Sequence, residues 1–449
     1  MNGLETLGRE ALERFRASSG GLEAEVYLSR SEERTLARRD GRLDAVEAGE
    51  TVGAAVRVLQ GGRLGFAAAG GASPEGLDAL FARALRQSSL AEPRPGLAFP
   101  GPSAGVADPA LEASLWDESL FTRSWDEVEA LLARAEAACR EEKRVARLLR
   151  ADYGESRGEV VVLNSRGLAA RERGASASLS VSASAEAGAE THVGDAFASR
   201  RRAAELDPVA VGREAGRRAA SLLGAGRAPG GKRPVVFSPR VGAEFLELVS
   251  GLLSAEEVQA GRSLLAGRLG GAVASAAVTL RDEPRLRGGP ASCAFDDEGM
   301  PTSDKAMVEG GVLRALFHDA TTAARAGAAP NGCAYRGSYE DTPSAGPSNF
   351  VLVPGAAAPA ALLAGAKEGL LVHDVLGMHM VDPVSGEFSV GVSGLRFAKG
   401  AAGAPFKGAM LSGNLMDLLA RVDAVGSDLE FHGAYACPSF RVSSLDVAA

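Results

Sequence analysis

Hydrophobic positions change period along the chain, and the changes outline its elements. Residues 1–16 carry an amphipathic helical pattern with charges throughout. Alternating segments follow at 24–29, 34–39, 42–47 and 52–58, and Gly61-Gly62 leads into another at 63–68. Asp40-Gly41 is a dipeptide that closes two-residue hairpins. Ser73-Pro74-Glu75 predicts a helix start, with serine as N-cap and proline in the first turn, running to about residue 88. Residues 93–109, rich in Pro, Gly and Ala, predict a loop or flexible flap. A second helix is predicted over 124–147, then strands at 159–163 and 175–185 around an Asn164-Ser165-Arg166-Gly167 turn. A crossover helix is predicted from Asp207-Pro208 to about Gly224, a linker at 225–233 and a strand at 234–238. Beyond residue 272 short strands and Gly-rich turns dominate, with helices near 359–369 and 414–422.

The pattern is most regular at 240–253. Val241, Phe245, Leu248 and Leu252 recur at helical spacing, and Leu246, Val249 and Leu253 widen the stripe. Glu247 falls on the polar side, between Glu244 and Ser250. The expected fold is α+β in two domains: an N-terminal α/β domain, 1–230, with a β-meander and helices, and a β-rich C-terminal domain, 231–449, with a few helices.

Composition narrows the function classes. The 449 residues are 46% hydrophobic and 24% charged, enough for a large core. A net charge of −8 gives nucleic-acid binding no electrostatic support, so Arg200-Arg201-Arg202 reads as a solvated turn rather than a phosphate site. The charged N-terminal helix does not resemble a signal peptide, and no apolar run reaches the ~20 residues of a membrane span. Cys139, Cys293, Cys333 and Cys437 are widely spaced, as reduced cytoplasmic thiols would be. No GxGxxG or P-loop pattern is present.

Candidate chemistry is sparse. Asp296-Asp297-Glu298 could hold a divalent cation through oxygen, or form a hydrogen-bonded turn with Gly299, the commoner outcome. The histidines are His192, His318, His373, His379 and His432, and none are spaced four or five apart. Ser412-Gly413-Asn414 could line a cavity or, with Asn414 as cap, open a helix. In the 240–253 helix, a zinc hydrolase would need two histidines about one turn apart and a glutamate beside them.

Several runs together resemble the TldD/PmbA family of zinc-peptidase subunits. They are Val56-Arg57-Val58, Gly62 to Ala67, Asn164 to Gly167, Phe295 through Arg325, Asn331-Gly332 and Arg336. Gly369 to Val372, Gly386 to Ser389 with Gly394, and Leu411 to Leu415 complete the set, in order over nearly the whole chain. The resemblance implies two similar branches that pair as a heterodimer. The TldD-like branch carries His-Glu-x-x-x-His and a late cysteine as zinc ligands, and the PmbA branch, also called TldE, lacks them. Carried over, the histidines fall on Leu246 and Gly251, and only Glu247 remains. Cys437 lies in what reads as the closing strand, beyond the family's cysteine.

The expected function is therefore a non-catalytic PmbA/TldE-like subunit. It would bring no metal or other cofactor of its own, while a TldD-like partner supplies zinc. Together they would enclose extended peptides, such as ribosomal peptide precursors and small labile proteins, gripped by strand addition. Glu247, His318, Arg336, His379, Ser412 and Asn414 are the candidate cavity or interface residues. The alternative is a stand-alone homodimeric peptide-binding or scaffold protein. A third possibility is a hydrolase with an unrecognised site, in which Cys437 or His379 would be mutated first.

Overall fold

The computed structural model describes residues 3–102 and 108–449. The fold is α+β, as expected. One antiparallel sheet dominates the N-terminal half: β1 (Glu23–Arg39), β2 (Arg42–Gln60), β3 (Arg63–Gly70), β4 (Val145–Asn164), β5 (Ala169–Ala187) and β6 (Glu190–Arg200), in the order β3-β2-β1-β4-β5-β6. The β1–β2 hairpin turns at Asp40-Gly41, both with positive φ (49° and 76°), the geometry of the twist-matched two-residue turn.

Two pairs of helices cover one face of this sheet. α1 (Gly3–Ser18) and α2 (Pro74–Leu90) bury Leu12, Phe15, Leu80 and Phe81 against Val26, Leu28, Val56 and Leu163. A short helix, α3 (Pro109–Leu115), precedes α4 (Trp125–Cys139). α4 and α5 (Pro208–Ser221) pack on the far end, over Leu36, Tyr153, Leu179 and Val181. α5 lies very close to its neighbours. A Cβ on Gly194 would sit 2.0 Å from Ala219 N, and one on Gly212 would sit 2.0 Å from Ala135 O. Glycine is required where backbones approach this closely.

The sequence pattern misplaced several elements. The helix expected over 124–147 stops at Cys139, and β4 begins at Val145. Register shifts at Val145/Arg147 and Leu148/Arg150 break the alternation there, so it is regular only further along, at 159–163. β1 is one continuous strand rather than two. Its middle, Arg30–Glu33, has no helix over it and so needs no apolar side chains. β6 was not anticipated. Residues 93–102, in the segment expected as a loop or flexible flap, form no helix or strand and are packed down. Leu97 and Phe99 are buried with Leu59 and Ala320, and Asn164 Nδ2 donates to Pro100 O at 2.8 Å. Residues 103–107 lie outside the described residues.

The C-terminal half centres on β7 (Gly231–Phe237) and α6 (Pro239–Leu252). The sheet order is 401–414, 387–398, 368–376, β7, 440–448, 422–425, and residues 410–412 also pair with 446–448. Five strands therefore close into a barrel. A second, mixed sheet runs 312–313, 305–309, 280–282, 350–352, 435–437, 430–432. α6 presses its apolar stripe against both sheets. Phe245 meets Phe237 at 5.1 Å and Phe388 at 5.7 Å between ring centroids.

The uncovered face of the N-terminal sheet binds the C-terminal half through buried charges. Arg57 Nε and Nη2 donate to both carboxylate oxygens of Glu25 (2.8 and 2.6 Å), and its Nη1 donates to Glu298 at 2.8 Å. Arg336 Nη2 donates to Glu25 at 2.9 Å, and its guanidinium stacks 4.5 Å over the Tyr27 ring. Glu298 also accepts the amide of Ala320 at 2.8 Å. Burial opposes the charge on Arg57, but Glu25 and Glu298 more than offset it and hold the guanidinium above its ordinary value. A second clasp lies nearby. Arg201, expected in a solvated turn, donates to the carbonyls of Gly289 and Pro290 (3.1 and 2.7 Å) across the same boundary. Glu172 accepts the Ala294 amide at 2.5 Å.

Removing one partner of such a buried network leaves a charge unpaired, at a cost of about 3–5 kcal/mol. Arg57→Met is expected to lower the unfolding free energy by that order, read as a lower urea midpoint, with faster proteolysis at 225–230. An unchanged midpoint would contradict the role given to Arg57. Burial pushes Glu172 up to about 7, against the pull of the Ala294 amide. The stabilisation it gives is complete below its ordinary 4.5 and is lost as pH rises through 7. The melting temperature should therefore fall between pH 5.5 and 8, and Glu172→Gln should shrink that fall. An identical pH slope in both proteins would show that Glu172 is not responsible.

Candidate functional site

α6 sits where catalytic chemistry was sought, and its two faces are opposite in character. Pro239 occupies the first turn after Ser238, and the apolar residues follow at helical spacing, so the helix forms where the pattern predicted. Leu246 is 4% exposed and lines a small apolar gap of about 20 Å³ with Phe245, Leu280, Leu352 and Leu419. Glu247 and Gly251 lie on the exposed side, where a Cβ on Gly251 would meet nothing within 4 Å.

Zinc would need imidazole, thiolate or carboxylate atoms converging on one point. Leu246 and Gly251 supply no ligating atom and face different surroundings. Cys437 is fully buried, and a Cβ on Gly242 would lie 2.5 Å from its Sγ. Burial raises its thiol well above the ordinary value, the reverse of a poised thiolate. These residues do not fit a zinc ion.

The other candidates are dispersed. Arg336 is locked into the buried charge network. His318 touches Thr322 Oγ1 through Nδ1 at 3.3 Å, and burial lowers its pKa. His379 is exposed on a short 3-10 turn, Met378–Met380. Ser412 Oγ pairs with Ser389 Oγ at 3.2 Å. Asn414 opens the helix Leu415–Ala420, its Oδ1 accepting the Met416 amide at 2.9 Å. The acidic run forms the turn rather than a cation cage. Asp296 accepts amides of Glu298, Met300 and Ala334, Asp297 accepts that of Arg336, and Glu298 turns to Arg57. Among the described residues no group of three His, Cys, Asp or Glu side chains is placed to hold a metal.

What the structure brings together at α6 is different: a polar cavity of about 400 Å³ between α5 and the start of α6. Arg217 and Arg218 enter from α5, and Ser238 and Arg240 from the helix start. His373 and Asp374 come from strand 368–376. Consecutive strand residues ordinarily face opposite ways. Here the register shifts between Val372 and Asp374, a β-bulge that turns His373 and Asp374 into the same cavity. None of these residues was singled out for this cavity from sequence, because a bulge leaves no periodic signal. The Ser238-Pro239 helix start was the one readable clue.

Burial lowers the His373 pKa, with the Arg217 charge pushing the same way. Arg217 and Arg218 are both tied to Glu214 (2.7 and 2.6 Å), whereas the ion pairs of Arg240 are longer, with Asp195 at 3.6 Å and Asp374 at 3.9 Å.

If Leu246 belongs to the core and not to a dormant site, the double variant Leu246→His, Gly251→His will bind no stoichiometric zinc. It will also lose about 2–5 kcal/mol from the core change. Elemental analysis after dialysis checks this, and one zinc per chain at wild-type stability would contradict it.

Comparison with known proteins agrees with this architecture. Sequence models of the PmbA/TldA metallopeptidase match as domain 1 over 24–88, central domain over 119–223 and C-terminal domain over 230–449. A protein named Metalloprotease PmbA from Escherichia coli O157:H7 is 26% identical over 99% of this chain and 96% of its own length. A Metalloprotease from Methanothermobacter thermautotrophicus is 28% identical over 90% of this chain and 88% of its own. Among solved structures, a Thermotoga maritima protein described as a candidate modulator of a DNA gyrase superposes with TM-score 0.90 at 26% identity. That match covers 99% of this chain and all of the other. TldE from Thermococcus kodakarensis, at 20% identity, shares the fold with TM-score 0.86, over 99% of this chain and all of its own. The chain belongs to the PmbA/TldD metallopeptidase family.

Proposed function

We propose that this chain is the non-catalytic, PmbA/TldE-like subunit of a two-chain zinc metallopeptidase. The observation that carries the reading is the state of α6. The helix is complete and packed as the fold requires, yet the two histidine positions hold a core leucine and an exposed glycine. A TldD-like partner then supplies the zinc and its activated water. This chain contributes walls of the enclosure and no metal or other cofactor. The substrates are extended peptides, including ribosomal peptide precursors and small labile proteins, held along their backbone by strand addition.

The surroundings support a cytoplasmic setting. All four cysteines are free, and no helix of the described residues is long and apolar enough to cross a membrane. The acidic balance argues against a direct nucleic-acid role. A second reading, a stand-alone homodimer that shelters peptides, draws on the cavity beside α6, which one chain completes by itself.

Co-expression with a TldD-like chain separates the two. The expected outcome is a stable pair whose peptidase activity falls at least about tenfold when this chain is omitted, zinc being bound only by the partner. Unchanged activity without it would refute the subunit reading. A homodimer of the lone chain by light scattering, with peptide bound, would favour the second.

A further inference from the structure

The cavity between α5 and α6 has features that the fold does not need. Its 400 Å³ lies within the range of small-ligand pockets, and a bulge is built to face two side chains into it. Ser238 precedes α6 as an N-cap residue but makes no side-chain cap, and its buried Oγ has no hydrogen-bond partner among the described residues. Buried hydroxyls are ordinarily satisfied, so this one marks a place where a partner is missing. Next to it, Arg240 makes no hydrogen bond among the described residues; its carboxylate neighbours are Asp195 at 3.6 Å, Asp374 at 3.9 Å and Glu244 further along the helix. Unlike Arg217 and Arg218, its fork of donors is open. Glu430 and Asp374 stand on the same lining, so the cavity offers both signs of charge.

We propose that this cavity binds the C-terminal end of a short zwitterionic peptide, with its carboxylate at Ser238 Oγ, the Arg240 guanidinium and the first amides of α6. A planar carboxylate matches the guanidinium fork, and the helix start favours a negative group. The peptide's ammonium group faces the Asp374 and Glu430 carboxylates. A mixed lining selects for a zwitterion over a simple anion, which those carboxylates would repel. The site lies about two helical turns before Leu246 on the same helix, so it takes up a peptide end beside the enclosure proposed above. The choice of peptide as ligand rests on that reading.

The test is isothermal titration of the full chain with Ala-Ala and with its C-terminal amide. Saturable one-site binding of Ala-Ala is expected, at least about tenfold weaker for the amide, as loss of a charge-assisted hydrogen bond implies. Arg240→Ala should weaken Ala-Ala by a similar factor and leave the amide unchanged, and Ser238→Ala should weaken Ala-Ala less. Circular dichroism melts confirm that the variants fold. Equal binding of acid and amide, indifference to Arg240→Ala, or no saturable binding at millimolar peptide would each overturn the proposal. The subunit reading fails on partner-dependent activity instead, so either can fall while the other stands.

Discussion

Everything at α6 depends on how the two halves of the chain are held together, and a buried charge network centred on Arg57 is the main polar link between them. Arg57 projects from β2 through the uncovered face of the N-terminal sheet. It binds Glu25 with two donors and Glu298 of the other half with a third. Glu298 in turn receives the Ala320 amide, and Glu25 receives Arg336. A buried ion network gives little net stability compared with apolar packing, but it tolerates no other register. The network fixes Glu25, Arg57, Glu298 and Arg336 against one another across the boundary. In that arrangement α5, seated through Gly194 and Gly212, brings Arg217 and Arg218 to the start of α6.

α6 carries the packing of the C-terminal half on one face. Its apolar stripe meets the barrel through Phe245 against Phe237 and Phe388, and the mixed sheet through Leu246 beside Leu280 and Leu352. Core packing uses Leu246 and leaves Glu247 and Gly251 free of it. Leu246 and Gly251 supply no metal-binding donor beside Glu247. Other polar groups lie about two turns earlier, at Ser238 and Arg240.

Much of this was legible in the sequence, for definite reasons. Strong periodicity fixed α6 to within a residue, and Asp40-Gly41 and Gly61-Gly62 fixed the hairpins, because positive φ demands such residues. The family resemblance located Leu246, Glu247 and Gly251. Arg57 and Arg336 were noticed only as parts of family runs, since a salt bridge between residues 311 apart, as in Glu25–Arg336, has no local signature. β4 was half-missed because register shifts near its start break the alternation. The cavity was illegible, being made by a bulge and by the docking of two distant helices.

The central claim is that this chain binds no catalytic zinc of its own. It is tested most directly by titrating the purified, chelator-treated chain with zinc and measuring bound metal and peptidase activity together. The account predicts no tight stoichiometric site and no activity in the chain alone. One zinc per chain, retained through dialysis and restoring peptide cleavage, would contradict it.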